Sequence, residues 1–522
     1  MTDLTPAQSA VAPREEQTWL SLLLLSLTVA AGAYFRLHTL GVRSLSPAEC
    51  FSVLVARQPW PQFLRTMWWG EGNMAFYYTL LRGWLLLGDS DAWLQCLSAL
   101  IGVITIPAVY VVGSRFLSRN AGLIAAALLA IHSFHIGRSE QVRSYSLLTF
   151  LIILSTYSFL ALLDSPNNKR LWILYVVFSA LAFYAQTFTV FVLGGQWLAL
   201  GPGRIKRLGV LNFLLAGAAI AMLSVPLLAV MVLQNKGQLD WVPRLSFAGF
   251  INVLWAIVGA DILALHSSVG SALLLTLYGV AWIFAVWGLF RAKRSGIEAR
   301  LATTVWVMVW SFAFPLVVMT AISLLKPILY PRYLLMCVPS AVLLAGQGIV
   351  TIERYVARGR RVSFAILLLM MSLSLAGTNQ FDRMLRTSGL DWRGVTKYIL
   401  SHREADDVVI FYTFGGNWTW DYYVGQERKA GDNRSTPTTL FPLSFDAASI
   451  ANRTASYRRV WLALQQDIPN PQSDANTALL VRTMGEHFRL VEEKEFGGES
   501  IYPGENVSIR LALYAMMQKN SP

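Results

Sequence analysis

About eleven apolar runs follow one another between residues 17 and 378, most of them near the ~20 residues a helix needs to cross a hydrocarbon core. They constrain the fold because backbone inside a bilayer must satisfy its own hydrogen bonds, and a chain without barrel-type alternation does so only as helices. The runs lie at about 17–36, 92–113, 120–131, 144–163, 171–184, 188–200, 208–230, 269–290, 301–325, 333–351 and 362–378. The first follows Arg14 and ends near Ala31-Gly32-Ala33, as a cleaved signal peptide would, but it is long enough to span and reads as a retained helix. Composition agrees, since 55% hydrophobic and 14% charged residues in a chain of 522 exceed what a soluble core buries.

A formal charge of +13 fits nucleic-acid binding only where Lys and Arg share one soluble face. Here they occupy short turns. With a cytoplasmic N-terminus, five inner turns carry fifteen Lys or Arg and four short outer connections carry six, as the positive-inside rule requires. An odd number of spans then places the C-terminus outside. The three cysteines, Cys50, Cys96 and Cys337, are too few and too scattered for a disulfide framework or a zinc site.

Two long segments fall on the outer side, a loop at 37–91 and the tail from 379. The tail alternates helical patterns at Trp392–Leu400 and Ala475–His487 with strand patterns near Val408–Tyr412, Val460–Leu464, Phe488–Val491 and Val507–Leu513, which reads as a small α/β domain. Its sequons at Asn417, Asn433, Asn452 and Asn506 face outward but occur often by chance.

Polar residues beside the apolar runs collect on that same side: Glu49 and Glu71 in the loop, Glu140, Arg143 and Tyr145 at the second outer turn, Tyr184 and Gln186 at the third, and Lys326, Arg332 and Tyr333 at the last. The carboxylates suit a general base for an acceptor hydroxyl or amine, or ligands for a divalent cation, the one cofactor left open. For any single Glu, a solvated loop acid is the simpler explanation. Arg143, Lys326 and Arg332 suit the phosphate of a lipid-linked donor, and snorkelling to lipid headgroups accounts for them equally well. The loop aromatics Trp60, Trp68, Trp69, Phe76, Tyr77 and Tyr78 suit a sugar or isoprenoid surface, or an interfacial belt. His132 and His135 lack a third ligand at helical spacing, so no metal site is assigned to them.

Four stretches occur in a telling order: SLSPAECFS at 44–52; NMAFYYTLLRGWLLLGDSDAWLQCLSALIGVITIPAVY at 73–110; FHIGRSEQVRSYSLL at 134–148; and KPILYPRYLLMCVPS at 326–340, followed by LDWRGVTKYI at 390–399. Together they resemble the GT-C superfamily of membrane glycosyltransferases, particularly the protein O-mannosyltransferase and aminoarabinose-transferase branch, over nearly the whole chain. The resemblance implies an α-helical polytopic membrane domain at 1–378 with about eleven transmembrane helices and an extracytoplasmic α/β domain at 379–522, in a bacterial inner membrane. It implies inverting transfer of a sugar from a polyprenyl-phosphate donor to a lipid, glycan or protein acceptor on the outer face, with no nucleic-acid partner.

Three positions depart from the family pattern. Ala48 stands where the family carries the Asp usually assigned as base, leaving Glu49 or Glu71 for that role. Glu140-Gln141 reverses the family's Gln-Glu order, moving the carboxylate about 100° around a helix. Gln186 replaces a frequent His. A non-catalytic scaffold that binds or translocates polyprenyl lipid is the alternative. A secondary transporter is disfavoured, since the sequence shows no inverted repeat.

Overall fold

The computed structural model describes residues 14–234, 239, 241–291, 296–387, 390–412, 415–440, 447–465, 471–499 and 506–517. Along the chain, α1 (Arg14–Leu37) is followed by α2 (Pro47–Arg57), α3 (Trp60–Thr66), a π turn at Met67–Glu71 and α4 (Ala75–Trp84). The bundle continues through α5 (Asp91–Phe116), α6 (Arg119–Ala130), α7 (Ser133–Ser139), α8 (Tyr145–Asp164), α9 (Lys169–Ala185), α10 (Thr189–Leu198), α11 (Gly201–Leu208) and α12 (Val210–Gln234). Next come α13 (Phe247–Ile257), α14 (Asp261–His266), α15 (Ser268–Arg291), α16 (Gly296–Ser323), a 3-10 segment at Pro331–Cys337, α17 (Val338–Tyr355) and α18 (Gly359–Thr387).

A helix stands at each of the expected runs, but they are not all equal. Among the described residues, eight are long and apolar enough to cross a membrane, or nine if α6 and α7, bent by 61°, count as one broken span. The 171–184 and 188–200 runs become the shorter α9 and α10. Helix α18 continues to Thr387, past the drop in hydropathy at 378, because its polar end is packed. Thr378 Oγ1 donates to the Ile131 carbonyl, Asp382 pairs with His38 at 2.8 Å, and Phe381 fills the space left by Gly137.

The break between α6 and α7 leaves carbonyls without helical partners. Arg36, buried in α1, supplies the donors: Nη1 reaches the Ala130 and Gly32 carbonyls and Nη2 the Leu129 carbonyl, each at 2.9 Å, with His135 Nδ1 at 3.0 Å. A cation inside the membrane domain thus finishes a helix end. His132 Nε2 bonds the Ile257 carbonyl, and among the described residues no three His, Cys, Asp or Glu side chains gather as a metal site.

The C-terminal region carries α19 (Trp392–His402), β1 (Asp407–Tyr412), α20 (Gly416–Lys429), β2 (Thr438–Leu440), α21 (Ala447–Thr454), β3 (Arg459–Gln465), α22 (Pro471–His487), β4 (Phe488–Glu499) and β5 (Asn506–Met516). Its sheet has the order β2-β1-β3-β5-β4, parallel from β2 to β3 and antiparallel beyond. It docks on the first residue of α5. Asp91 accepts from Arg393 Nη2 at 2.6 Å, Tyr422 OH at 2.7 Å and Tyr423 OH at 2.9 Å. A carboxylate at a helix N-terminus is favoured by the helix dipole as well, so one residue serves both the helix and the junction.

Candidate functional site

The segment 37–91, expected as a loop, is largely helical, and its first helix decides what Glu49 can do. Ser46-Pro47-Ala48-Glu49 is a capping box, with Glu49 at the third helical position reaching back to the Ser46 N–H at 2.9 Å. Arg43 closes a two-pronged pair on the same carboxylate at 2.7 and 2.8 Å, and Ser46 Oγ and the Val142 N–H donate at 2.7 and 2.9 Å. Five donors therefore surround a carboxylate that is 1% exposed. Burial is outweighed by Arg43 and Ser46, and the group is held below the usual carboxylate range. The arrangement ties α2 to the turn before α8.

Glu71 has a different environment. It ends the π turn, a helical irregularity common at functional sites. The following Gly72 is required by close packing, since a Cβ there would lie 2.9 Å from Leu227 Cδ1 and 3.0 Å from the Met67 carbonyl. Glu71 is half-buried, and the Tyr78 hydroxyl donates to it at 3.4 Å. Burial lifts its pKa above the ordinary value, and Arg143 and Tyr78 offset part of that.

Arg143 reaches the Ala48 carbonyl and Ser52 Oγ, both at 3.3 Å, and interacts electrostatically with Glu71, Tyr78 and Tyr145. Tyr145 opens α8, and three guanidinium groups act on its hydroxyl: Arg332, Arg143 and Arg138. Arg332 stands on aromatic faces, 4.2 Å over Trp241, 5.2 Å over Tyr330 and 5.5 Å over Tyr333, and its buried Nε has no partner among the described residues. Arg138 lies 5.9 Å from the Tyr145 ring and donates to Gln141 Oε1. Among the described residues none of the three is ion-paired to a carboxylate. Three converging guanidinium groups, with Glu71 acting on Arg143 and Asp261 on Arg138 but no carboxylate in ion-pair contact among the described residues, suit an anion.

The other expected residues divide. Tyr333 packs 5.1 Å from Phe188 and joins the cluster through Arg332. Tyr184 donates to the Leu223 carbonyl and, with Leu64, Met67, Gly72, Pro226 and Val230, lines an apolar cavity of about 380 Å³ beside Glu71. Among the described residues, Gln186 Oε1 is buried without a donor, as is Asn73 Oδ1, and the Gly72–Met74 turn packs on α9, which Gln186 caps. Glu140 is 2% exposed, accepts from Thr39 Oγ1 at 2.9 Å and is pushed up to about 8 by burial. It faces the Arg43 and Arg36 side of the junction rather than the arginine cluster. The Lys326 side chain is exposed beside Leu324 and Leu325 and makes no hydrogen bond or ion pair among the described residues. Of the first-loop aromatics, Tyr77 and Tyr78 are fully buried, whereas Trp60, Trp68 and Trp69 are exposed. Arg138 is the cluster member that sequence reasoning missed. Its short spacing to Arg143 was visible, but the bend that turns α7 toward Tyr145 was not.

Residues 74–229 match the family model described as dolichyl-phosphate-mannose-protein mannosyltransferase. Among solved structures, ArnT from Cupriavidus metallidurans bound to undecaprenyl phosphate superposes with a TM-score of 0.54 at 11% identity, over 96% of this chain and 99% of that one. The fold is that of the GT-C glycosyltransferases. The archaeal oligosaccharyltransferase AglB from Archaeoglobus fulgidus, in complex with an inhibitory peptide and a dolichol-phosphate, has the same GT-C architecture: TM-score 0.55, 9% identity, 97% of this chain and 75% of that one. A third GT-C structure, the mycobacterial arabinofuranosyltransferase AftD, reaches 0.50 at 16% identity over 97% of this chain and 42% of its own. No curated protein sequence matches.

Proposed function

We propose that this protein transfers a sugar from a polyprenyl-phosphate donor to an acceptor at the membrane face that carries the C-terminal domain, with Glu71 as general base. The observation that carries this reading is the placement of Arg138, Arg143 and Arg332 around Tyr145, next to Glu71 and the apolar cavity lined by Tyr184. The acceptor O–H attacks the anomeric carbon, its proton passes to Glu71, and the bond from that carbon to the phosphate oxygen breaks. Negative charge then grows on the departing polyprenyl phosphate, where unpaired guanidinium groups stabilise it most. Asn73 Oδ1 and Gln186 Oε1, both lacking donors, suit the hydroxyls of the sugar. The apolar cavity suits the first isoprene units. Glu49, saturated by five donors, serves as a positioning residue that fixes α2 and the Arg143 turn.

The second reading, a scaffold that binds polyprenyl lipid without chemistry, is favoured by Ala48 at the family's Asp position. The test is transfer of radiolabelled sugar from a panel of polyprenyl-phosphate donors by the purified protein, with Glu71→Gln and Ala48→Asp variants beside it. Transfer that falls about 10²- to 10⁴-fold in Glu71→Gln, with donor binding retained, supports the enzyme. Transfer by Ala48→Asp alone, or full turnover in Glu71→Gln, overturns the base assignment.

A further inference from the structure

At the opposite end of the bundle lies a second site that plays no part in transfer. Helix α5 runs from Asp91, at the C-terminal domain, to Phe116, a rise of roughly 39 Å at 1.5 Å per residue. There a cavity of about 370 Å³ opens between the ends of α5, α15, α16 and α17. Its polar lining is Arg115, Ser118, Arg300, Gln347, Thr351 and Arg354. Arg300 is balanced by Asp164 at 2.7 Å, whereas Arg115 is bonded only to the Tyr157 hydroxyl and Arg354 has no ion pair among the described residues. Two positive charges are thus without an ion pair among the described residues.

The decisive residue is Gln347. It belongs to the α17 span, 94% of whose apolar window is buried, and is itself 7% exposed. Its Nε2 donates to Thr351 Oγ1 at 3.4 Å, and its buried Oε1 receives no hydrogen bond among the described residues. A buried amide oxygen without a donor costs on the order of 1–3 kcal/mol, and the side chain that carries it lines the cavity. Next door, a cavity of about 610 Å³ shares Phe116 and Arg300 with the first and is walled by Leu160, Leu163, Leu200 and Leu208.

We infer that this pair of cavities binds an anionic phospholipid with a hydroxyl-bearing headgroup. The phosphate diester sits between Arg115 and Arg354, a headgroup hydroxyl donates to Gln347 Oε1, and the first acyl carbons enter the leucine-walled chamber. Excess positive charge selects an anion, the orphan acceptor selects a donor, and the adjoining apolar chamber selects a lipid over a soluble phosphate.

The test uses the full chain in detergent, with dioctanoyl phosphatidylglycerol, dioctanoyl phosphatidylcholine and glycerol 1-phosphate as probes and native mass spectrometry as readout. The expected result is a single phosphatidylglycerol adduct preferred about tenfold over phosphatidylcholine, whose quaternary ammonium has no N–H to give. The adduct falls about tenfold in the Arg115→Gln/Arg354→Gln double variant and survives in Arg360→Gln/Arg361→Gln, which removes equal charge from the neighbouring turn. Equal adducts with both lipids overturn the site without recourse to any variant. Equal loss in both double variants reduces it to diffuse surface charge, and glycerol 1-phosphate binding as tightly as the lipid overturns the lipid assignment.

Discussion

Two glutamates that look interchangeable in sequence differ in what their surroundings allow. Glu49 is neutralised by Arg43 and saturated by backbone and hydroxyl donors. Replacing it with Gln leaves Arg43 buried without its partner, which costs about 3–5 kcal/mol for a pair of this kind. Thermal unfolding in detergent should therefore show a large loss of stability for Glu49→Gln. Glu71 behaves in the opposite sense. Its folded pKa is raised, so its ionised form is disfavoured by the fold at neutral pH, and Glu71→Gln should unfold no earlier than the native chain while losing transfer. The same shift sets the pH profile. A base must be deprotonated, so kcat/KM falls on the acid side around a pKa above the ordinary 4.5. Arg143 pulls that pKa down, and Arg143→Gln should move the acid limb further up. An acid limb that stays put in this variant would separate Arg143 from Glu71.

At the scale of elements, the helices and strands were legible where periodicity carried them, and the hidden ones share a reason. The α2 signal was present as Ser46-x-x-Glu49, a capping box, yet Glu49 read as a candidate base because an acid in this position fits both roles. The bend between α6 and α7 has no Pro or Gly at the break, and Arg36, which bonds the carbonyls there, lies 93 residues away from one of them. Helix α20 alternates Trp, Tyr and polar residues without a clean stripe, and its Tyr422 and Tyr423 gain their place by bonding Asp91. That junction predicts a consequence. Asp91→Ala removes the shared acceptor for two tyrosines and Arg393, and each buried donor left unpaired costs about 1–3 kcal/mol. Limited proteolysis of the C-terminal domain should accelerate in this variant while the helix bundle stays intact, and unchanged cleavage would place the docking energy elsewhere.

For the whole molecule, the site depends on contributions that sequence order scatters. Glu71, Tyr145 and Arg332 come from the first outer segment, the start of α8 and the turn before α17, and only the bundle brings them to one face. That face also carries the C-terminal domain, through Asp91 at the head of α5, while Arg115, Arg300 and Arg354 mark the other. The imbalance of fifteen basic residues against six in the turns then predicts sidedness, because Lys and Arg near span ends are retained on the cytoplasmic side. Single cysteines introduced at exposed Ser401, in the C-terminal domain, and at exposed Asn167, in the turn after α8, provide the readout in a background where Cys50, Cys96 and Cys337 are replaced by Ala. A membrane-impermeant maleimide applied to intact cells should label Ser401→Cys and spare Asn167→Cys until the cells are opened. The reverse pattern would put the arginine cluster and Glu71 in contact with cytoplasmic rather than external acceptors. Labelling of both from outside would mean that only one of the short α9 and α10 completes a crossing.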